Sequence, residues 1–177
     1  MTFDGPPTVG RLTGDAAPSA DPLAAVVSAP TVVRPSWIAL SVSRTSVAKA
    51  RRFAGDVIRD HVTDPGHADD IVLVVSELVT NGRRAATEVR RRQPDDLPLR
   101  FGILATDRYV HVHVTDPDPR PIQANPAPAN GWGLGIVDTY AVARWVGHTA
   151  TDKTVHALIA APGITLTRAE VEKISGE

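Results

Sequence analysis

At 177 residues the chain is long enough for one domain with a buried core. Its 19 basic and 20 acidic residues leave a net charge of −1, which gives no overall field to draw in nucleic acid or an anionic membrane. The absence of cysteine excludes disulfides and thiolate metal sites, and no run of roughly 18 apolar residues is present to form a membrane-spanning helix.

The opening MTFDGPP lacks the basic region and apolar run of a secretion signal, so a cytoplasmic protein is expected. Residues 1–34 are rich in Pro, Ala, Gly and Ser, and Pro6, Pro7, Pro18, Pro22 and Pro30 interrupt any regular structure. They are expected to form a flexible arm ahead of a domain over residues 35–161, with 162–177 as a tail.

A first strand is predicted over residues 37–42, with Ile38 and Leu40 on one face and Trp37 and Ala39 on the other. A helix follows over about 45–62, where Val47, Ala50, Phe53, Ala54, Val57 and Ile58 recur at helical spacing. Asp64-Pro-Gly-His67 is a turn leading into a second, long helix over about 68–92. Beyond Pro94 the period changes to two. Leu99, Phe101 and Ile103, then Val110, Val112 and Val114 around a Thr106-Asp107-Arg108 turn, describe an antiparallel hairpin with one buried face. Residues 117–130 form a long Pro- and Asn-rich loop, of the kind that is usually functional or mobile. A short helix over about 134–143 and a second hairpin, 145–149 with 154–160, complete the domain. In the tail, Thr167 and Glu170 have the spacing of a capping box. This order predicts an α/β fold: a mixed, mostly antiparallel sheet with helices on one face.

Three groups of residues carry chemistry. On the long helix, Ile71, Val74, Val75, Leu78, Ala85 and Val89 make an apolar stripe, and Glu77 and Asn81, four apart, lie together at its edge. A carboxylate there can take a proton from a nucleophile, and an amide oxygen can coordinate a hard cation such as magnesium. Asp116 follows Val112 and Val114 at a strand end, where a carboxylate can accept a hydrogen bond from an exocyclic amine. Gly131-Trp132-Gly133-Leu134-Gly135 closes the long loop and opens a helix. Such glycines let backbone amides approach phosphate. Each group alone also suits a bland reading: a solvated helix flank, a turn before Pro117, a loop-to-helix hinge.

Taken in order, SELVTN on a helix, a strand ending in Asp, and a long loop into GxGLG resemble the superfamily of gyrase, histidine kinases and anti-sigma-factor serine kinases. SELVTN and Lys153-Thr154-Val155 look most like the small anti-sigma-factor kinases. The resemblance covers roughly residues 40–161. It implies a two-layer α/β sandwich of the histidine kinase-like ATPase (Bergerat) type that binds ATP and magnesium. Glu77 would be the general base and Asn81 the magnesium ligand. Asp116 would bind the adenine amino group and Thr154 support it. Gly131, Gly133, Leu134 and Gly135 would wrap the phosphates beneath a lid formed by residues 117–130. The implied activity is phosphorylation of a serine or threonine on an anti-anti-sigma partner. Sigma factors are the other implied partners. A homodimer is also implied, and direct contact with nucleic acid or membrane is not expected.

The chain departs from that pattern in three places. Asp116-Pro-Asp-Pro-Arg120 keeps the Asp of a glycine-rich box but loses the glycines. Thr80-Asn-Gly-Arg-Arg-Ala-Ala86 has Gly82 inside a helix, at a cost of about 1 kcal/mol relative to Ala, and Ala85 where relatives carry His. Trp132 stands where relatives often place a basic residue. A binding module that sequesters a protein partner without catalysis is therefore the competing reading. His111 and His113 share a strand face and could hold a metal, but no third ligand is evident nearby, and a solvated or helix-covered face is the expected reading. Arg83, Arg84, Arg90, Arg91 and Arg92 complement the dipole at the C-terminal end of the helix.

Overall fold

The computed structural model describes residues 35–91, 98–121 and 132–176, and the side chains of Trp132 and Gly133 lie outside that description. The expected arm over residues 1–34 also falls outside the described residues. Among the described residues nine elements follow in chain order: β1 (Ser36–Leu40), α1 (Ser46–Ile58), α2 (Pro65–Arg90), β2 (Leu99–Ala105), β3 (Tyr109–Asp116), α3 (Trp132–Tyr140), β4 (Ala143–His148), β5 (Lys153–Ala160) and α4 (Arg168–Ser175).

The strands form one sheet in the order β1-β2-β3-β5-β4. All four pairings are antiparallel, so the expected mostly antiparallel sheet is antiparallel throughout. Side chains alternate between faces. Leu40, Leu99, Phe101, Ile103, Val110, Val112, Val114, Val155, Ala157 and Ile159 point to the core shared with the helices and are buried. Each such large side chain contributes about 1.5–3 kcal/mol through burial. Phe53 of α1 meets Phe101 edge-on, with ring centroids 5.9 Å apart. The opposite face carries Trp37, Arg100, His111, His113, Thr115, Trp145, Thr154 and His156, as the pairing register requires.

The long helix begins at Pro65, inside the Asp64–His67 segment read as its entry turn and ahead of the expected start near 68. Asp64 caps it by accepting from the backbone N–H groups of Gly66 (2.8 Å) and His67 (3.3 Å), with Pro65 in the first turn. Its buried stripe differs at the C-terminal end. Ile71, Val74, Val75 and Leu78 are buried as expected, but the stripe continues through Val79, Gly82 and Ala86, while Ala85 and Val89 are only half-buried. The 3.6-residue period selects these positions once Gly82 is accepted as a contact residue.

α1 stops at Ile58 rather than near residue 62, the chain closing with a bond from Val62 N–H to Ile58 O (2.8 Å). α4 begins at the capping box read from the sequence. Thr167 Oγ1 accepts from Glu170 N–H, and the Glu170 carboxylate accepts from Thr167 N–H. Arg108, in the β2–β3 turn, donates to Glu170 (2.8 Å) and ties this helix to the hairpin. Among the described residues no helix is long and apolar enough to cross a membrane.

Candidate functional site

Glu77 and Asn81 lie on successive turns of α2, both half-buried beside the stripe that packs on the sheet. Among the described residues neither side chain has a hydrogen-bond partner. The residue after Asn81 anchors this part of the helix to the sheet. A Cβ built on Gly82 would stand 2.9 Å from Val114 Cγ1, 3.5 Å from Leu99 Cδ2 and 3.7 Å from Asp116 Cβ. The glycine that lowers helix propensity is thus the one that lets α2 sit directly on the end of β3. The SELVTN helix and the strand-end Asp therefore meet.

Asp116 is 2 % exposed and faces the helix side. Its Oδ1 accepts from Lys153 Nζ (2.9 Å) and from Asp118 N–H (3.0 Å). Lys153 Nζ donates a further bond to Asp118 O (2.9 Å). Burial pushes the Asp116 carboxyl above its ordinary value, against the downward pull of the Lys153 bond and charge. Asp118 is 6 % exposed, and its carboxylate accepts from Arg120 Nε (2.7 Å) and Nη2 (2.6 Å). These bonds hold the Asp118 carboxyl below its ordinary value. The Asp-Pro-Asp-Pro-Arg segment is therefore a closed knot of side-chain and backbone bonds, in place of a flexible glycine turn.

Thr154 is not brought to Asp116. Its Oγ1 pairs with Thr115 Oγ1 (2.8 Å) on the opposite face of the sheet. The β5 residue that shares Asp116's face is Lys153, directly across in the pairing register. Alternation held the signal: Val155, Ala157 and Ile159 point inward, so Lys153 must do so too. A cavity of about 280 Å³ opens beside Asp116, lined also by Arg100, Thr115, Thr151 and Asp152, but neither Glu77 nor Asn81 lines it.

Of the glycine loop, Gly131 lies outside the described residues, as do 122–130 of the expected lid. Gly133, Leu134 and Gly135 fall within the first turn of α3, which begins at Trp132 rather than Leu134. Leu134 is half-buried against the core, Gly135 is exposed, and a Cβ on Gly135 would meet nothing within 4 Å. α3 is seated by buried Val137.

The fold and these residues can be set beside known proteins. Residues 40–156 match the family described as the histidine kinase-like ATPase domain. No curated protein matches the chain. Solved structures share the fold, two of them as follows. One contains the RsbU and RsbW domains of Rv1364c from Mycobacterium tuberculosis, at a TM-score of 0.53 and 19 % identity, covering 76 % of this chain and 35 % of that one. The chain thus spans about a third of the length of that relative. The other is the SiaB–SiaC complex from Pseudomonas aeruginosa, at a TM-score of 0.53 and 15 % identity, covering 70 % of this chain and 88 % of that one. The family match spans more than half of the sequence and contains Glu77, Asn81, Asp116 and the glycine segment, and the chain belongs to the histidine kinase-like ATPase domain family.

Proposed function

We propose that this chain is an ATP-binding regulatory protein of the anti-sigma type, and that it phosphorylates a serine or threonine of an anti-anti-sigma partner. The observation that carries this reading is the seating of the Asn81–Gly82 turn on Asp116. It sets Gly82, the residue after Asn81, against Asp116, and on this reading Glu77, Asn81 and Asp116 address one ligand. ATP with magnesium supplies the transferable phosphoryl group and neutralises its charge. Glu77 accepts the proton of the partner's hydroxyl, and Asn81 offers a hard oxygen to the cation. Asp116 presents a carboxylate to the adenine amine, and the Gly131–Gly135 segment offers backbone N–H groups to phosphate. Lys153 is added to this set because it shares Asp116's oxygen. Both similar structures hold a second component, an RsbU domain beside RsbW in one and SiaC beside SiaB in the other, which supports a protein partner. A cytoplasmic homodimer acting in transcription control accords with this role.

Calorimetric titration with ATP and magnesium, alongside Asp116→Ala, tests the site. Saturable binding lost in the variant is expected. Transfer of labelled phosphate to a cognate acceptor, abolished by Glu77→Ala, then tests the kinase step.

One observation favours a second reading, a partner-sequestering module without catalysis. Asp116 Oδ1 is already committed to Lys153 and Asp118. No binding at millimolar ATP, with tight partner binding unaffected by Glu77→Ala, would establish it.

A further inference from the structure

The face of the sheet opposite α2 holds a cluster that the nucleotide chemistry does not use. His111 and His113 are two apart on β3, so both project from this face, and His156 of β5 stands directly across from His113 in the register. His156 is the third imidazole that the sequence did not reveal beside the other two. One ring nitrogen from each of the three lies within 4.8 Å of the others. His111 Nε2 and His156 Nδ1 are already 3.1 Å apart. Two nitrogens bound at about 2.1 Å to a tetrahedral zinc ion stand roughly 3.4 Å apart, close to the His111–His156 spacing, and binding would turn the stacked His111 and His156 rings so that their lone pairs converge with that of His113.

Two further observations point to a ligand. The ring of His113 is pressed onto the backbone at Gly102, where a Cβ would come within 2.1 Å of His113 Nε2. Its other nitrogen, Nδ1, is buried and has no hydrogen-bond partner among the described residues. A buried polar atom without a partner costs free energy that a metal bond would remove. Trp145 also walls the cluster, stacked on His156 at 4.8 Å and on His111 at 5.1 Å. It limits the side chains' freedom and shields one side from water. Uncharged imidazole is the form that coordinates metal.

We propose that His111, His113 and His156 form a site for a divalent transition metal, most suitably zinc, with a fourth position left for water or an added ligand. Three neutral imidazoles suit zinc, nickel and copper, and do not suit magnesium or calcium, which take oxygen ligands. The ion would clamp β3 to β5 on the face away from Glu77 and Asn81.

Zinc chloride titrated calorimetrically into the full chain, in a non-coordinating buffer, tests the site. One ion per chain is expected, with a dissociation constant in the micromolar range or below. His156→Gln and His113→Gln, made separately, should each weaken it at least tenfold, whereas Glu77→Ala should leave it unchanged. Zinc at one hundred times its dissociation constant should raise Tm by about 5 °C or more. Cobalt chloride added to the wild-type chain should give the intense visible absorption of a four-coordinate site. This last measurement stands even if a variant fails to fold. A weak six-coordinate cobalt spectrum, no saturable zinc binding at 100 times the protein concentration, or variants that bind as tightly as the wild type would overturn the assignment. None of these outcomes depends on whether the chain binds ATP.

Discussion

Lys153 Nζ stands 2.9 Å from Asp116 Oδ1, with the two side chains only 7 % and 2 % exposed. Removing one partner of such a pair leaves an uncompensated buried charge, which is more costly than the pair itself is stabilising. Lys153→Met should therefore lower stability by about 3 kcal/mol or more. Urea denaturation of the single variants and of the double variant with Asp116→Asn measures this. A double variant recovering much of the loss is expected, and simple additivity would contradict the pairing.

Two helical glycines should respond in opposite directions. Gly55 in α1 has open space where a Cβ would go, so Gly55→Ala should stabilise by roughly 0.5–1 kcal/mol. Gly82→Ala places its methyl 2.9 Å from Val114 Cγ1, and the strain should outweigh the propensity gain, for a net loss of about 1–2 kcal/mol. Thermal denaturation of both variants distinguishes packing from propensity.

The Asp118 carboxyl is held low chiefly by its bonds from Arg120. A depressed carboxylate contributes stability that is complete above its ordinary pKa and is lost as pH falls through the lowered one. Wild type should therefore exceed Arg120→Ala in Tm above about pH 4, and the difference should close in more acid solution. A difference independent of pH would point to packing by Arg120 instead.

Thr167→Ala removes one half of the capping box and should destabilise α4 by about 1 kcal/mol. Because α4 has no buried residue, the loss should appear as faster amide exchange in residues 168–175 with little change in global stability.

Much of this architecture was legible in the sequence because it is written in local periods. The alternation of Leu99, Phe101 and Ile103 against Arg100 and Gly102 identifies β2, and Asp64-Pro-Gly-His67 marks the entry to α2 to within a turn. What escaped depends on contacts between distant segments. Gly82 looked like a defect until Val114 was found against it. Alternation along β5 turns Lys153 to the same face as Val155, but that Lys153 lies directly across from Asp116 follows only from the β3–β5 register. His156 stood 43 positions beyond His113, invisible as a neighbour until β5 paired with β3.

That pairing has a consequence for how the chain must fold. The hairpins β2–β3 and β4–β5 close over short turns, but β3 meets β5 across a long intervening segment, so this seam has a high loop-closure cost and forms only after it is met. Three of the cross-strand partnerships discussed above lie along it: Asp116 with Lys153 on one side, Thr115 with Thr154 and His113 with His156 on the other. A slip of one residue would turn β5 over, sending Lys153 outward and His156 into the core. A single zipper, set in one alignment, therefore creates both the carboxylate–ammonium pair and the imidazole triangle, and neither can exist in a misaligned intermediate.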